Sequence, residues 1–263
     1  MNVLLIAVPV MILSVLFSGL GIGGGAFYVP LLTSLGLSFP EAVAVSLAIV
    51  VSMSASSSVV YVRRGLVDPW LLAYLEPFSI GAAFVAGLAS RAVPDTALRV
   101  AFGLVVLPTA WWMVRTGELA PRATPPQGRW VRHRSTPHGD YHVTPVMGAV
   151  VGSMAGVISG FLGLGGGVVK VPAMVLLFGV PMRVAVANAG VMVGITSLAG
   201  FLGHALSGTV RWDWALVGAV AVVVGGQVGA RLVLRLPQVL VRRAFAGVLV
   251  VLGAWIVSEI FIY

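Results

Sequence analysis

Cysteine is missing from the 263 residues, and charge is scarce. Without a thiol there can be no disulfide, no iron–sulfur cluster and no Cys-based zinc site. Charged residues make up 9% of the chain against 59% hydrophobic, far less charged surface than a soluble domain of this size carries. No phosphate-loop motif GxxxxGK[ST] and no nucleophile–base pair occurs. His133, His138, His142 and His204 lack the companions of a metal site. The chain is therefore read as neither an enzyme nor a metalloprotein, with no cofactor.

What fills the space is long apolar runs of about 20 residues, the mark of membrane-spanning helices. The expected class is an all-α, multipass integral membrane protein. Its net charge of +8 comes from 15 arginines and a single lysine against 8 carboxylates. In a membrane protein such a balance reflects basic cytoplasmic loops, so no nucleic-acid partner is implied. The first 17 residues are apolar but lack a basic n-region and a cleavage site, and are read as part of the mature protein.

The chain contains itself twice. "GIGGG" (21–25) falls on "GLGGG" (163–167), and Pro30 falls on Pro172. One inserted residue then changes the offset from 142 to 143. With that shift "AVAV" (42–45) matches "AVAN" (185–188), "GLVDPW" (65–70) matches "GTVRWD" (208–213), and Pro94, Arg99 and "AF" (101–102) match Pro237, Arg242 and "AF" (244–245). Such internal duplication is typical of secondary transporters. The expected organisation is a first repeat over 1–114, a linker over 115–143 rich in Arg, Pro and His, and a second repeat over 144–263. Each repeat has a glycine-interrupted apolar block (3–37, 144–180). Three ordinary spans follow, near 41–62, 69–90 and 96–114, then 184–206, 214–234 and 238–262. The linker reads as exposed and loosely structured.

A continuous helix over a block of 35 residues would be about 52 Å long, against a hydrocarbon core of about 30 Å. The block must break, and the glycines are where. If each block crosses once, the arginines divide eight against seven between the two sides. If each is a hairpin returning to its own side, twelve fall on one side and only Arg91, Arg99 and Arg211 on the other. The positive-inside rule selects the hairpin, and with it two repeats of inverted topology, a cytoplasmic linker and both termini outside. Non-helical backbone at membrane depth is tolerated where it lines a cavity. Two such breaks, entering from opposite faces, would bring helix N-termini and free N–H groups to a common space that suits an anion. The competing explanation for the glycines is close helix packing, which fits Gly19, Gly148, Gly152 and Gly156 better than the clusters.

The candidate anion-binding residues are therefore Gly21, Gly23, Gly24, Gly25, Gly163, Gly165, Gly166 and Gly167. Lys170, three residues beyond the second break, adds a cation at membrane depth, either as ligand or as an interfacial anchor. Ser46, Asn188 and Ser197 are candidate donors lining the cavity. Gln227 shares a helix face with Arg231 and could bond substrate or a neighbouring helix. The run "SMSASSS" (52–58) reads as a helix seam. Glu76 is a candidate proton-coupling residue, or a partner for an arginine such as Arg99.

The duplicated "GxGGG…P" motif, followed by an Ala/Val/Ser-rich span and the loops "GLVDPW" (65–70) and "GTVRWDW" (208–214), resembles the sulfite exporter TauE/SafE family, also called the toluene sulfonate uptake permeases. The resemblance covers both halves of the chain. One departure is Asn188, where hydroxyl residues are more usual. It implies a secondary transporter of small anions of the sulfite, sulfonate or thiosulfate class in a bacterial plasma membrane, and a homodimer is compatible with it. Sulfite export is the leading expectation, because an inside-negative potential drives anions outward by about 2.3 kcal/mol per charge per 100 mV. Proton-coupled uptake of the same anions and a non-transporting accessory subunit are the alternatives.

Overall fold

A computed structural model describes residues 6–94, 131–137 and 139–237, with a few isolated positions at 96–108 and 239–251. The expected spans at 96–114 and 238–262 thus lie largely outside the described residues. The rest is helical apart from one small hairpin. The helices are α1 (Ala7–Leu20), α2 (Gly25–Ser34), α3 (Phe39–Arg63), α4 (Pro69–Ala89), α5 (Pro145–Leu162), α6 (Gly167–Leu176), α7 (Met182–Leu206) and α8 (Trp212–Arg235). Five of them, α3, α4, α5, α7 and α8, are long and apolar enough to cross a membrane.

The ends follow local chemistry. Ser38 caps α3, its N–H and hydroxyl both donating to Glu41 Oε2 at 2.9 and 2.8 Å. Asp68 caps α4 by accepting from the Trp70 N–H at 3.0 Å, with Pro69 as the first helical residue. Both long apolar blocks break at their glycines. α1 stops at Gly21 and α5 at Gly163, each with φ near +70°, and α2 and α6 restart after Gly24 and Gly166 in the same left-handed region. Pro30 and Pro172 sit in the second turn of the helices that follow.

The duplication reappears in the element boundaries. α1 and α5 end 142 residues apart, as do the starts and ends of α2 and α6. α3 and α7, 25 residues each, match with an offset of 143, and α4 and α8 begin with that offset. Packing obeys the same exchange: α1 lies on α8 as α5 lies on α4, and α3 lies on α8 as α7 lies on α4. α3 and α7 pack on each other and are the most buried spans.

Small residues make the seams. A Cβ on Gly152, Gly156 or Gly160 would overlap the carbonyl oxygens of Leu75, Ser79 or Ala83 on α4, so α5 and α4 touch backbone to backbone. Gly148 and Gly19 pack the same way, against Tyr74 and Gly229. The serine run on α3 is likewise a seam, with Ser56 Oγ donating to the Val223 carbonyl at 2.5 Å.

The linker departs from expectation at its C-terminal end. Arg132–Thr136 and Gly139–Val143 form an antiparallel hairpin, β1 and β2, that buries Tyr141, His142 and Val143. It is docked at two points. His142 N–H donates to the Phe178 carbonyl at 3.0 Å. Tyr141 Oη donates to Asp68 Oδ2 at 2.5 Å, and Arg134 Nε donates to the same oxygen at 3.2 Å. Burial opposes ionisation of Asp68, but the bonds from Tyr141, the Trp70 backbone and Arg134 outweigh it and hold the carboxyl below its usual range. Composition alone hid this hairpin, because it is anchored by contacts with residues 36 to 73 positions away.

Candidate functional site

The two glycine breaks meet in the interior. A Cβ on Gly25 would overlap the Gly163 carbonyl oxygen, and one on Gly167 would overlap the Gly21 carbonyl oxygen. The two contacts are images of each other under the duplication, and no side chain fits between them. Gly23 and Gly165 both face Val50 and Val193, themselves an equivalent pair. The breaks are in direct contact, where the sequence suggested a shared open space. Only glycine allows the positive φ at Gly21, Gly24, Gly163 and Gly166 and the close approach at Gly25 and Gly167.

The half-helices begin here without caps. In α2 the first bonds run from Phe27 and Tyr28 N–H to Gly24 O at 2.9 and 3.1 Å, which leaves Gly25 and Ala26 N–H with no backbone acceptor among the described residues. In α6 they run from Val169 and Lys170 N–H to Gly166 O at 3.2 and 3.0 Å, leaving Gly167 and Val168 N–H in the same condition. Neither Gly24 nor Gly166 has a side chain to supply a cap. The buried hydroxyl of Ser197 has no partner either, and its oxygen lies 3.0 Å from where a Gly165 Cβ would be. Ser159, in the last turn of α5, is a second buried hydroxyl without a partner. Donors thus collect around the breaks in a buried place, an arrangement suited to negative charge.

One turn beyond the second break lies Lys170, fully buried. Its Nζ donates to Glu76 Oε1 and, at 2.6 Å, to Thr196 Oγ1. Thr196 Oγ1 in turn donates to Glu76 Oε2 at 2.9 Å. The triad ties α6, α4 and α7 together beside the breaks. Lys170 is buried and paired, not an interfacial anchor, and Glu76 has Lys170 for its partner, while Arg99, weighed as another partner, lies outside the described residues.

The duplication shows how special this corner is. Lys170, Thr196 and Glu76 correspond to Tyr28, Met53 and Ala219. Tyr28 Oη points to Met53 Sδ at 3.6 Å, so the contact persists while its charge is gone. A parallel substitution occurs nearby. Tyr61 Oη donates to the Ser18 carbonyl at 3.0 Å, and the matching His204 Nε2 lies 2.9 Å from the Gly160 carbonyl. The frame is duplicated, and the polarity is placed on one side of it.

The other candidates divide. Ser46 belongs to the breaks, since its hydroxyl donates to the Gly163 carbonyl at 3.0 Å and holds the second one in place. Asn188 does not. Its amide donates to the Leu66 and Val184 carbonyls at 3.0 and 2.8 Å and accepts from the Asp68 N–H at 2.8 Å, so it pins the loop before α4. Both its amide hydrogens and one oxygen lone pair are used there, so the structure places Asn188 at that loop and not beside the breaks. Gln227 is also elsewhere, accepting from Arg231 at 2.9 Å at the rim of a separate, arginine-lined cavity. Thr196 was missed. The signal available was the repeat comparison: Thr196 stands opposite Met53, as Glu76 stands opposite Ala219.

The comparisons agree with the architecture. The family described as sulfite exporter TauE/SafE matches residues 5–256. A probable membrane transporter protein, YunE of Bacillus subtilis (strain 168), is 25% identical over 98% of both chains. A probable membrane transporter protein of Xylella fastidiosa (strain Temecula1 / ATCC 700964) is 25% identical over 90% of this chain and 88% of its own. MamO of Magnetospirillum gryphiswaldense, also described as a probable membrane transporter, is 33% identical over 40% of this chain and 17% of its own. No solved structure matches the chain.

Proposed function

The chain belongs to the sulfite exporter TauE/SafE family of membrane transporters, and we propose that it is a secondary transporter of small sulfur oxyanions or organosulfonates, exporting sulfite across a bacterial plasma membrane. The observation that carries this reading is the meeting of the two glycine breaks, with uncapped N–H groups of two half-helices turned to one buried place. A transporter needs a site reachable from either side in turn. In this conformation the breaks are closed on each other. Parting them would expose the N–H groups of Gly25, Ala26, Gly167 and Val168 to an anion, with the Ser197 hydroxyl and the Lys170 ammonium at hand.

The reading includes the repeat boundaries 1–114 and 144–263, inverted topology, a cytoplasmic linker and external termini. Two groupings support it. Arg63, Arg64, Arg183, Arg231 and Arg235 line one cavity. Arg91, in contrast, donates to the Gly208 carbonyl at 2.9 Å, and Arg211 lies near Glu41, at the opposite ends of the same helices. A single crossing per glycine block would have put Arg183 and Arg231 on the side opposite Arg63.

A second reading, proton-coupled movement of the same anions, is favoured by the Lys170–Glu76 pair. An anion that takes Lys170 leaves the Glu76 carboxylate without its partner at membrane depth, where ionisable side chains serve as proton relays. Each anion would then move with a proton, and a dianion would carry one net charge. Sealed vesicles containing the purified protein, tested with sulfite, sulfate, thiosulfate and sulfoacetate, decide between these readings. Selective flux of one sulfur anion supports transport, a pH dependence abolished by Glu76→Gln supports coupling, and no flux of any overturns both.

A further inference from the structure

At the end of the molecule formed by the C-termini of α3 and α8 and the N-terminus of α7 there is a cavity of about 630 Å³. Five arginines line it: Arg63, Arg64, Arg183, Arg231 and Arg235, together with Gln227. No carboxylate among the described residues does. Most of this charge is uncommitted. Arg231 donates to Gln227 at 2.9 Å and one Arg183 nitrogen to the Leu236 carbonyl at 2.5 Å. Arg183 Nε is buried without a partner, and no side-chain partner of Arg63, Arg64 or Arg235 occurs among the described residues. Five like charges around one space repel one another, and no acid among the described residues that line it offsets this.

The duplication supplies an independent argument. α7 is the second copy of α3, and their first turns are built for opposite guests. α3 begins with Ser38 and brings its own carboxylate, Glu41, to the helix N-terminus. The matching residues of α7 are Pro181 and Val184, and both line the cavity. α7 has no side-chain cap, and no acid stands in its first turn. Its first hydrogen bond runs from Ala185 N–H to Pro181 O at 2.9 Å, so the N–H groups of Met182, Arg183 and Val184 are left over. Where the first copy holds a carboxylate, the second holds an arginine and open N–H groups.

We infer that this cavity is a binding site for a multi-oxygen anion, separate from the glycine breaks, held by Arg183, Arg235 and their neighbours and seated on the N-terminus of α7. Planar guanidinium groups suit such oxygens by paired hydrogen bonds. The ligand chemistry is shared by a soluble sulfur oxyanion arriving at the transporter's mouth and by the phosphate of an anionic lipid. The proposal rests on the transport reading for neither, since it concerns binding alone.

The test uses the purified full-length protein in uncharged detergent at low salt. Radiolabelled sulfate and sulfite binding is measured by equilibrium dialysis, and bound phosphatidylglycerol against phosphatidylcholine by native mass spectrometry. The variants are Arg235→Gln, Arg183→Gln/Arg235→Gln and, as a charge control at the far end, Arg211→Gln. Affinity should fall a few-fold in the first, ten-fold or more in the second and not at all in the third. Loss confined to the soluble anions identifies a substrate vestibule, and loss confined to phosphatidylglycerol identifies a lipid site. Unchanged binding of both in the double variant, or an equal loss in Arg211→Gln, overturns the proposal. Arg235→Gln removes no side-chain hydrogen bond among the described residues, so it reports even where the double variant fails to fold. Vesicles that carry no flux would leave this binding result intact.

Discussion

Lys170 and Glu76, 94 residues apart and on different repeats, form a buried ion pair in which Thr196 bonds both partners. Such a pair gives little net stability, because desolvation offsets most of the attraction, yet removing one partner strands a charge. Lys170→Met should therefore destabilise the protein by roughly 3–5 kcal/mol, as should Glu76→Ala. Lys170→Met/Glu76→Gln should recover a large part of that loss. Thermal unfolding in detergent, run as a double-mutant cycle, checks this. Additive losses would mean that the two residues act independently.

Docking of the hairpin on the loop before α4 should weaken in acid. Asp68 is held below its usual carboxylate range, so its contribution is complete above the unfolded value of about 3.9 and disappears as pH falls through the lower folded value. His142 is held below the usual imidazole value by burial and by His133. Its share begins to fail earlier, as pH drops below about 6.5, because the unfolded form then takes up a proton first. Hydrogen exchange over residues 139–143, corrected for intrinsic rates, should show protection at pH 7.5 that declines in two stages. Asp68→Asn should remove the lower stage. Equal protection at pH 7.5 and pH 3 would refute the role given to Asp68.

Membrane sidedness can be read with single cysteines, since the chain has none of its own. In intact cells an impermeant maleimide should label Ser207→Cys and Val93→Cys but not Ser135→Cys, which should react only after lysis. Labelling of positions 135 and 207 from the same side would rule out the inverted arrangement.

Much of this was legible in the sequence where the signal is local or repeated. The breaks at Gly21–Gly25 and Gly163–Gly167, the packing role of Gly152 and the seam at Ser56 follow from residue type and spacing. That the two breaks meet follows from the duplication, but that they close on each other without a space between does not. Partners of polar side chains were not legible. Asn188 is the last residue of the "AVAN" match, yet two of its bonds go to Leu66 and Asp68, 120 residues or more away. Lys170 and Glu76 could each be singled out as costly at membrane depth, but only the fold brings them together. The docked hairpin failed for the same reason: arginine, proline and histidine describe an exposed segment until Tyr141 finds Asp68.

The measurement that bears most directly on the glycine breaks as the transport site is sulfite efflux from proteoliposomes with an inside-negative potential, using protein recovered folded by size exclusion. Gly25→Ala and Gly167→Ala each put a methyl group where a carbonyl of the opposite break lies. Gly81→Ala meets nothing within 4 Å and serves as the control. The expected result is efflux by the wild type and by Gly81→Ala, and at least ten-fold slower efflux, equivalent to about 1.4 kcal/mol in the barrier, in both break variants. Wild-type efflux in Gly25→Ala and Gly167→Ala would contradict the account, and the breaks would then be packing elements alone.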